Sequence, residues 1–535
     1  MIHLIQHSSL DKITRDTLTP KVPYEKDFAV RGEELGFQVV VYTDSDRSVP
    51  AKIRVDGRGI CATYLVKDVP VTWPHYSEDT KPYLLDQPGM LPDCLVPLTH
   101  NDTVNISSNY IVLWVTINPS TGGDHTVTTT ISTDTESASC ELSLHVVDTT
   151  LSKQYFSFCQ YIDPHAIARD HHVPMFSDVY WRILKNYFRF VLRNGFNDIV
   201  VPLFTPEYAG YPTDERIQLV DIEVLRNNYA FRFDLMDSWI YLAKECGIEN
   251  FTFPVFLPSF ETLSGARFTA HKEGRKIELL EGEGVNSNYY TSFIRKLLFE
   301  LVKRLEEHKI SGRITLYFSA GPKVKNEDDY YQFRTHFFDR IKKYRVADYD
   351  VEYDFYALDR VGVPYVHLHD ISQYIGHSEA TVYGCFDITN PRDVINPLIA
   401  SSALRLRALG AYCYRYDVVG FHHMGLNYSA PPLKSAQIDS YINTDYNHRY
   451  PSGSLSMIYP GAEEPYPSIR LMQIKYAIQD YRLLDKLQLC CTPKKLNGLI
   501  DQYLKITPES LIDEPERFQK LRSKLYELAE KLTKK

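Results

Sequence analysis

Histidine clusters and scattered carboxylates are the residues of this chain whose types and spacing could do chemistry. "HLHD" puts His367 and His369 on one face of an extended segment, with Asp370 beside them, which is a ligand-like geometry for two imidazoles. Asp170-His171-His172 and His422-His423 form two further clusters. With 18 histidines such clusters arise by chance, and no H-E-x-x-H pattern or Cys/His set accompanies them, so neither a metal nor another cofactor is expected. The nine cysteines are scattered and form no C-x-x-C pair, which indicates neither a zinc ribbon nor a disulfide framework. A G-x-S-x-G elbow, a phosphate loop and a post-strand G-x-G-x-x-G are all missing from the sequence. Among the acids, Glu207 in "FTPEY" and Asp354 in "YDFY" stand at the ends of extended segments. Glu327, Asp328 and Asp329 fall in a first helical turn, where acids complement the helix dipole.

The whole-chain composition narrows the class. Basic residues number 59 and acidic ones 68, for a net charge of −9 spread without long runs. Nucleic acids and anionic membranes need a concentrated basic face, so neither is expected as a partner. The 39 tyrosines offer flat rings with hydrogen-bonding tips, which suit sugar or peptide surfaces as well as ordinary cores. The N-terminal "MIHLIQHSSLDKITRD" has no basic and apolar regions of signal-peptide type, and no apolar run is long enough to span a bilayer. A reducing cytoplasm is the expected location.

The elements that must carry these residues change character along the chain. Residues 1–150 alternate in short segments such as "GFQVVVYT", "AKIRVDG", "NYIVLWVTINP" and "CELSLHVVD", which predicts an antiparallel β-sandwich. The Pro-punctuated "VTWPHYSEDTKPYLLDQPGMLPDCLVPL" reads as a longer irregular piece between its strands. Residues 151–467 alternate strand with helix. Strands are expected in "YFSFCQYI", "NDIVVPLF", "ENFTFPVFL", "RITLYFS", "YDVEYDFY", "GVPYVHL", "ATVYGCF" and "VVGFHHMG". The helix "SDVYWRILKNYFRFVLRNG" carries Gly195 as its C-terminal cap, and another is expected across "NPLIASSALRLRALGAYCYRY". Eight strands with interposed helices make a (β/α)₈ barrel, with chemistry expected at the C-terminal strand ends. Residues 468–535 are amphipathic and helical, expected to pack on the barrel. The fold class is therefore multidomain α/β: a sandwich, a TIM-type barrel and C-terminal helices.

The tail "GSLSMIYPGAEEPYPSIRLMQIKYAIQDYRLLDKL" resembles the closing signature of glycoside hydrolase family 123 and its DUF4091 relatives, through Tyr459, Pro460, Gly461, Ser468, Ile469, Arg470, Leu471 and Asp480. "GMLPDCLVPL", "RIQLVDI", "MDSWIYLAKECGI" and "YDFY" followed by "GVP" match in the same order. The resemblance implies a sandwich plus barrel that removes β-linked N-acetylgalactosamine, with the sugar's own acetamido oxygen attacking C1. It also implies an adjacent Asp-Glu pair in an S-D-E-P-like turn after the fourth barrel strand. Asp orients the acetamido group, and Glu acts as general acid and base. Here the turn reads Ser319-Ala320-Gly321-Pro322, so Ala320 and Gly321 stand where the acids belong. The family's H-W-G-x-N pattern becomes His423-Met424-Gly425-Leu426-Asn427, followed by Tyr428, with Met in place of the stacking Trp. None of the four tryptophans is expected at a barrel strand end.

Two expectations follow from that resemblance. In one, the chain is a pseudoenzyme-like relative that binds a carbohydrate, such as an N-acetylhexosamine-containing glycan, through Tyr161, Asp354, Tyr356, Tyr383, His423, Asn427 and Tyr428. In the other, it is an active glycosidase on another glycan, with acids relocated to positions such as Glu207 or Asp354.

Overall fold

The computed structural model describes residues 1–535 apart from 80, 100–101, 205–216, 227, 254–267, 281, 321–326, 350–356, 358–361, 376–380, 388–392, 424, 429–438 and 534–535. At 318–320, 327, 330, 338 and 349 it describes the backbone alone. The chain forms two compact units, Met1–Tyr155 with Asp387–Tyr416 and Asp439–Lys535, and Phe156–Phe386 with Asp417–Ile438. No helix is long and apolar enough to cross a membrane among the described residues.

The first unit is built on two five-stranded sheets. One runs Ile2–Ser8, Leu35–Thr43, Ile111–Ile117, Ile60–Val71, Gly89–Leu98 in spatial order. The other runs Lys26–Arg31, Ser137–Thr150, Gly123–Ser132, Val49–Asp56, Thr103–Ile106. Every pairing is antiparallel except that of Lys26–Arg31 with Ser137–Thr150. Alternation sends Phe37, Val39 and Val41 into a core with Leu113, Val115, Val127, Ile131, Leu142 and Leu144, while Val40 is buried on the opposite face with Ile13 and Val112. Burial on both faces is why "GFQVVVYT" reads as a nearly continuous apolar run.

The stretch expected to be irregular contains a ten-residue strand, Gly89–Leu98. Its prolines obscure it in sequence, yet Pro92 and Pro97 are tolerated because this strand closes one end of its sheet. The ladder skips Asp93, since Lys67 pairs with Cys94 and Asp68 with Pro92, and the resulting bulge takes the Asp93 carboxylate out of the ladder's alternation. Helices Ala403–Arg407, Leu409–Arg415, Ile469–Leu487, Pro493–Leu504 and Pro515–Thr533 complete this unit. The single helix expected across 396–416 begins only at Ala403, where the Ser402 hydroxyl accepts from the Arg405 N–H, and it divides at Ala408.

The second unit contains a closed barrel of eight strands. In order they are Ser157–Gln160, Asp198–Val200, Asn250–Phe253, Ile314–Ala320, Arg345–Tyr349, Val363–His367, Val382–Cys385 and Val418–His423, all parallel to their neighbours. The fifth strand, Arg345–Tyr349, begins upstream of the expected "YDVEYDFY", whose residues 350–356 lie outside the described residues. It is "RVADY", where Asp348 interrupts the apolar pattern but is fully buried and accepts the Gly362 N–H at 2.6 Å. Helix Asp178–Arg193 starts with the Ser177 hydroxyl accepting from Tyr180 N–H. It ends as its glycine signals: Gly195, at φ 89°, donates to Leu192 O and Phe196 donates to Val191 O, both at 3.0 Å.

Sequence patterning did not reveal a small four-stranded sheet. Its hairpins, Asp221–Leu225 with Asn228–Arg232 and Phe268–Lys272 with Arg275–Leu279, leave the barrel after its second and third strands and pair through Glu223 and His271. Tyr229, Phe231 and Phe268 of this sheet pack on Phe293 of helix Asn288–His308. These excursions arise at C-terminal strand ends, where barrel enzymes place their site walls.

Candidate functional site

The lumen below the barrel mouth is aromatic and polar rather than aliphatic. Because strand side chains alternate, the adjacent His422 and His423 have opposite surroundings. His422 Nδ1 and the Tyr317 hydroxyl share a hydrogen bond, and the His422 ring lies 5.0 Å from that of Tyr317 and 5.6 Å from that of Tyr365. Tyr317, Ala347, Tyr365 and Tyr383 form one buried cluster contributed by the fourth to seventh strands. Tyr365 stacks on Tyr383 at 4.9 Å, and the Arg345 guanidinium lies over the Tyr383 ring at 4.4 Å. Gly420 is required beside this stack, since a Cβ there would come within 2.3 Å of Tyr383 Cε1.

Burial, and secondarily the charge of His423, pushes His422 down to about 3. Its imidazole is therefore neutral at ordinary pH, able to accept from Tyr317 but not to supply a cationic acid. Burial and then Arg169 likewise lower His165, just past the first strand, to about 4.

The expected site residues divide into three groups. Tyr161, His423 and Asn427 come together where the first and eighth strands end. Tyr161 is buried with Cys159 and Val200, and its N–H donates to His423 O at 3.2 Å. His423 is behind the wall rather than in the lumen: its Nδ1 accepts from the Gln160 amide at 3.1 Å, and Phe386 packs on its ring edge. Asn427 clamps the backbone of Asp163, accepting its N–H at 2.8 Å and donating to its carbonyl at 3.1 Å. Asp163 in turn caps the short helix Pro164–Asp170 by accepting the His165 N–H. Tyr428 follows, also buried.

Tyr383 forms the second group, deeper in the tyrosine stack. Glu207, Gly321, Asp354 and Tyr356 form the third and lie outside the described residues. Ala320 is the last residue of the fourth strand, with its backbone in register with Tyr349 of the fifth. The ladder shifts between Tyr317 and Ser319, a bulge directly before that strand end.

Sequence reasoning missed Gln160, Tyr317 and Tyr365, and singled out His422 only as part of a histidine cluster. Strand alternation through "ITLYFSA" and "VVGFHH" was the signal available for Tyr317 and His422. The tryptophans lie away from barrel strand ends as expected. Trp114 is in a sandwich strand, Trp181 and Trp239 are on helices, and Trp73 donates its indole N–H to His75 O. At the ligand-like pair, His367 and His369 stack at 5.6 Å, and His369 lies 3.2 Å from Asp370.

Residues 161–487 match the family model described as glycoside hydrolase 123, catalytic domain. A family 123 glycoside hydrolase from Clostridium perfringens, studied for glycolipid glycan hydrolysis, is similar in fold, with a TM-score of 0.73 and 14% identity over 99% of this chain and 97% of that one. A β-glucuronidase from Parabacteroides merdae gives a TM-score of 0.33 at 11% identity, covering 90% of this chain and 52% of its own. One from Bacteroides uniformis gives 0.32 at 11% identity, covering 82% and 48%. No curated protein sequence matches the chain. With the family model spanning more than half its length, over the barrel and the helix that carries Arg470 and Asp480, the chain belongs to glycoside hydrolase family 123.

Proposed function

We propose that this member of the family recognises a glycan, of the N-acetylhexosamine-containing class, at its barrel mouth and has lost the acid pair of substrate-assisted hydrolysis. The observation that carries this reading is the identity of Ala320, an alanine ending the fourth barrel strand, the position where the family resemblance calls for the orienting acid. Gly321 takes the place of the proton donor in the same comparison. Neither side chain can hold or move a proton, and loss of one acid–base group typically forfeits about 10²–10⁴ in rate. A neutral His422 does not replace the missing donor.

The second reading keeps activity and moves the acids to Glu207 or Asp354, at the ends of the second and fifth strand regions in sequence. Hydrolysis of a chromogenic β-N-acetylgalactosaminide by the wild type and by Ala320→Asp/Gly321→Glu separates the two. We expect both proteins to be inactive and a glycan-array screen of the wild type to return N-acetylhexosamine-containing ligands. Wild-type turnover that Glu207→Gln or Asp354→Asn abolishes would establish the relocated-acid reading instead.

A further inference from the structure

We propose that the floor of the barrel binds one small monoanion of the halide class, held by Arg345 Nη1 and the hydroxyls of Thr315 and Tyr365. These three polar atoms are buried, and none has a hydrogen-bond partner among the described residues. They come from the fourth, fifth and sixth strands, which are consecutive around the barrel. Thr315 and Arg345 are direct register partners, and Thr315 shares the lumen-facing side of its strand with Tyr317. The guanidinium lies on Tyr383, which stacks on Tyr365.

Charge selects an anion over a neutral guest. The carboxylate on this floor, Asp198, is fully buried and already accepts Ser157 Oγ at 3.1 Å and Thr252 Oγ1 at 2.9 Å. Burial raises its carboxyl above the usual range despite those bonds and the charges of Arg345 and Arg313. No carboxylate lies within ion-pairing distance of Arg345 among the described residues. Two guanidinium groups thus act on the one carboxyl found at this floor among the described residues. Buried polar atoms left unpaired are costly, and a monoanion accepts from all three donors while offsetting the Arg345 charge. Typical barrel interiors are filled with Val, Ile and Leu, so a floor of Ser157, Asp198, Thr252, Thr315 and Arg345 calls for a polar occupant.

The test uses the full chain, crystallised and soaked in sodium bromide, with anomalous diffraction measured at the bromine edge. A bromide peak among Arg345, Thr315 and Tyr365 is expected. Thermal unfolding in sodium chloride is then compared with sodium gluconate at equal ionic strength. We expect the wild-type Tm to rise by roughly 2 °C in chloride, and Thr315→Val and Tyr365→Phe to lose that difference. Both variants keep side-chain volume and remove hydroxyls without protein partners, so they should fold. A water molecule with no bromide at the site, or a chloride effect that both variants retain, would overturn the proposal. The outcome does not depend on whether the barrel mouth binds a glycan.

Discussion

Arg470 and Asp93 stand 377 residues apart in sequence and meet as a buried, two-pronged ion pair. Nε lies 3.0 Å from Oδ1 and Nη2 lies 2.8 Å from Oδ2, while Nη1 donates to Pro397 O and Gly453 O and the Tyr459 hydroxyl donates to Asp93. Every nitrogen of the guanidinium is engaged, which is what makes a charge tolerable at this depth. The bulge at Asp93 and the tail signature containing Tyr459 and Arg470 are therefore two halves of one structural device.

Breaking this pair on one side should be severe. Arg470→Leu or Asp93→Ala leaves the other charge buried and unmatched, and a loss of about 3–5 kcal/mol is expected. Urea unfolding should show it as a lowered midpoint, with the double variant less damaged than the sum of the two.

Burial alone would raise the Asp93 carboxyl, but Arg470, Lys12 and the Tyr459 hydroxyl outweigh it and hold the group below the ordinary carboxylate range. A depressed acid stabilises the fold above its unfolded pKa and loses that contribution as pH falls toward its folded value. The pair should therefore weaken only below about pH 4. His422 acts in a different window: the unfolded chain binds a proton near pH 6.5 that the folded chain refuses until about 3. Stability should fall on acidification between these values, and His422→Gln should flatten the slope between about pH 6.5 and 3 in a Tm-versus-pH series without changing it above that window.

Asn427→Ala removes both bonds to the Asp163 backbone. A cost of about 1–3 kcal/mol is expected, with faster hydrogen exchange at the Asp163 amide. Unchanged protection at that amide would show that the clamp does not hold the loop.

Gly420→Ala places a methyl within 2.3 Å of Tyr383 Cε1 and 2.8 Å of Ser157 O. The barrel should lose about 1–3 kcal/mol or more, with a changed near-ultraviolet tyrosine signal from the displaced stack.

The architecture could be read from sequence because periodicity reports burial. Helix Asp178–Arg193 shows this, since its buried positions recur along one face between a Ser177 cap and the glycine signal at Gly195. Errors arose where a polar residue or proline sits inside a strand for tertiary reasons. Asp348 hid the fifth strand, and Pro92 with Asp93 hid Gly89–Leu98. The two excursion hairpins escaped because each strand is only five residues long and the two hairpins, which leave the barrel in different loops, pair only at Glu223 and His271. At the mouth, the sequence supplied residue types but not facing. His423 was chosen over His422, although strand alternation sends only one of them into the lumen.

The order of the barrel strands also bears on how the protein is made. The closing strand Val418–His423 hydrogen-bonds to the opening strand Ser157–Gln160, and the intervening segment Asp387–Tyr416 belongs to the sandwich unit. During synthesis the barrel cannot close until the ribosome has passed residue 423, by which time the helices at Ala403–Arg407 and Leu409–Arg415 have already been synthesised. Neither unit is a contiguous stretch of chain, so a nascent polypeptide stalled before that point carries an exposed parallel edge, and chaperone engagement should concentrate there.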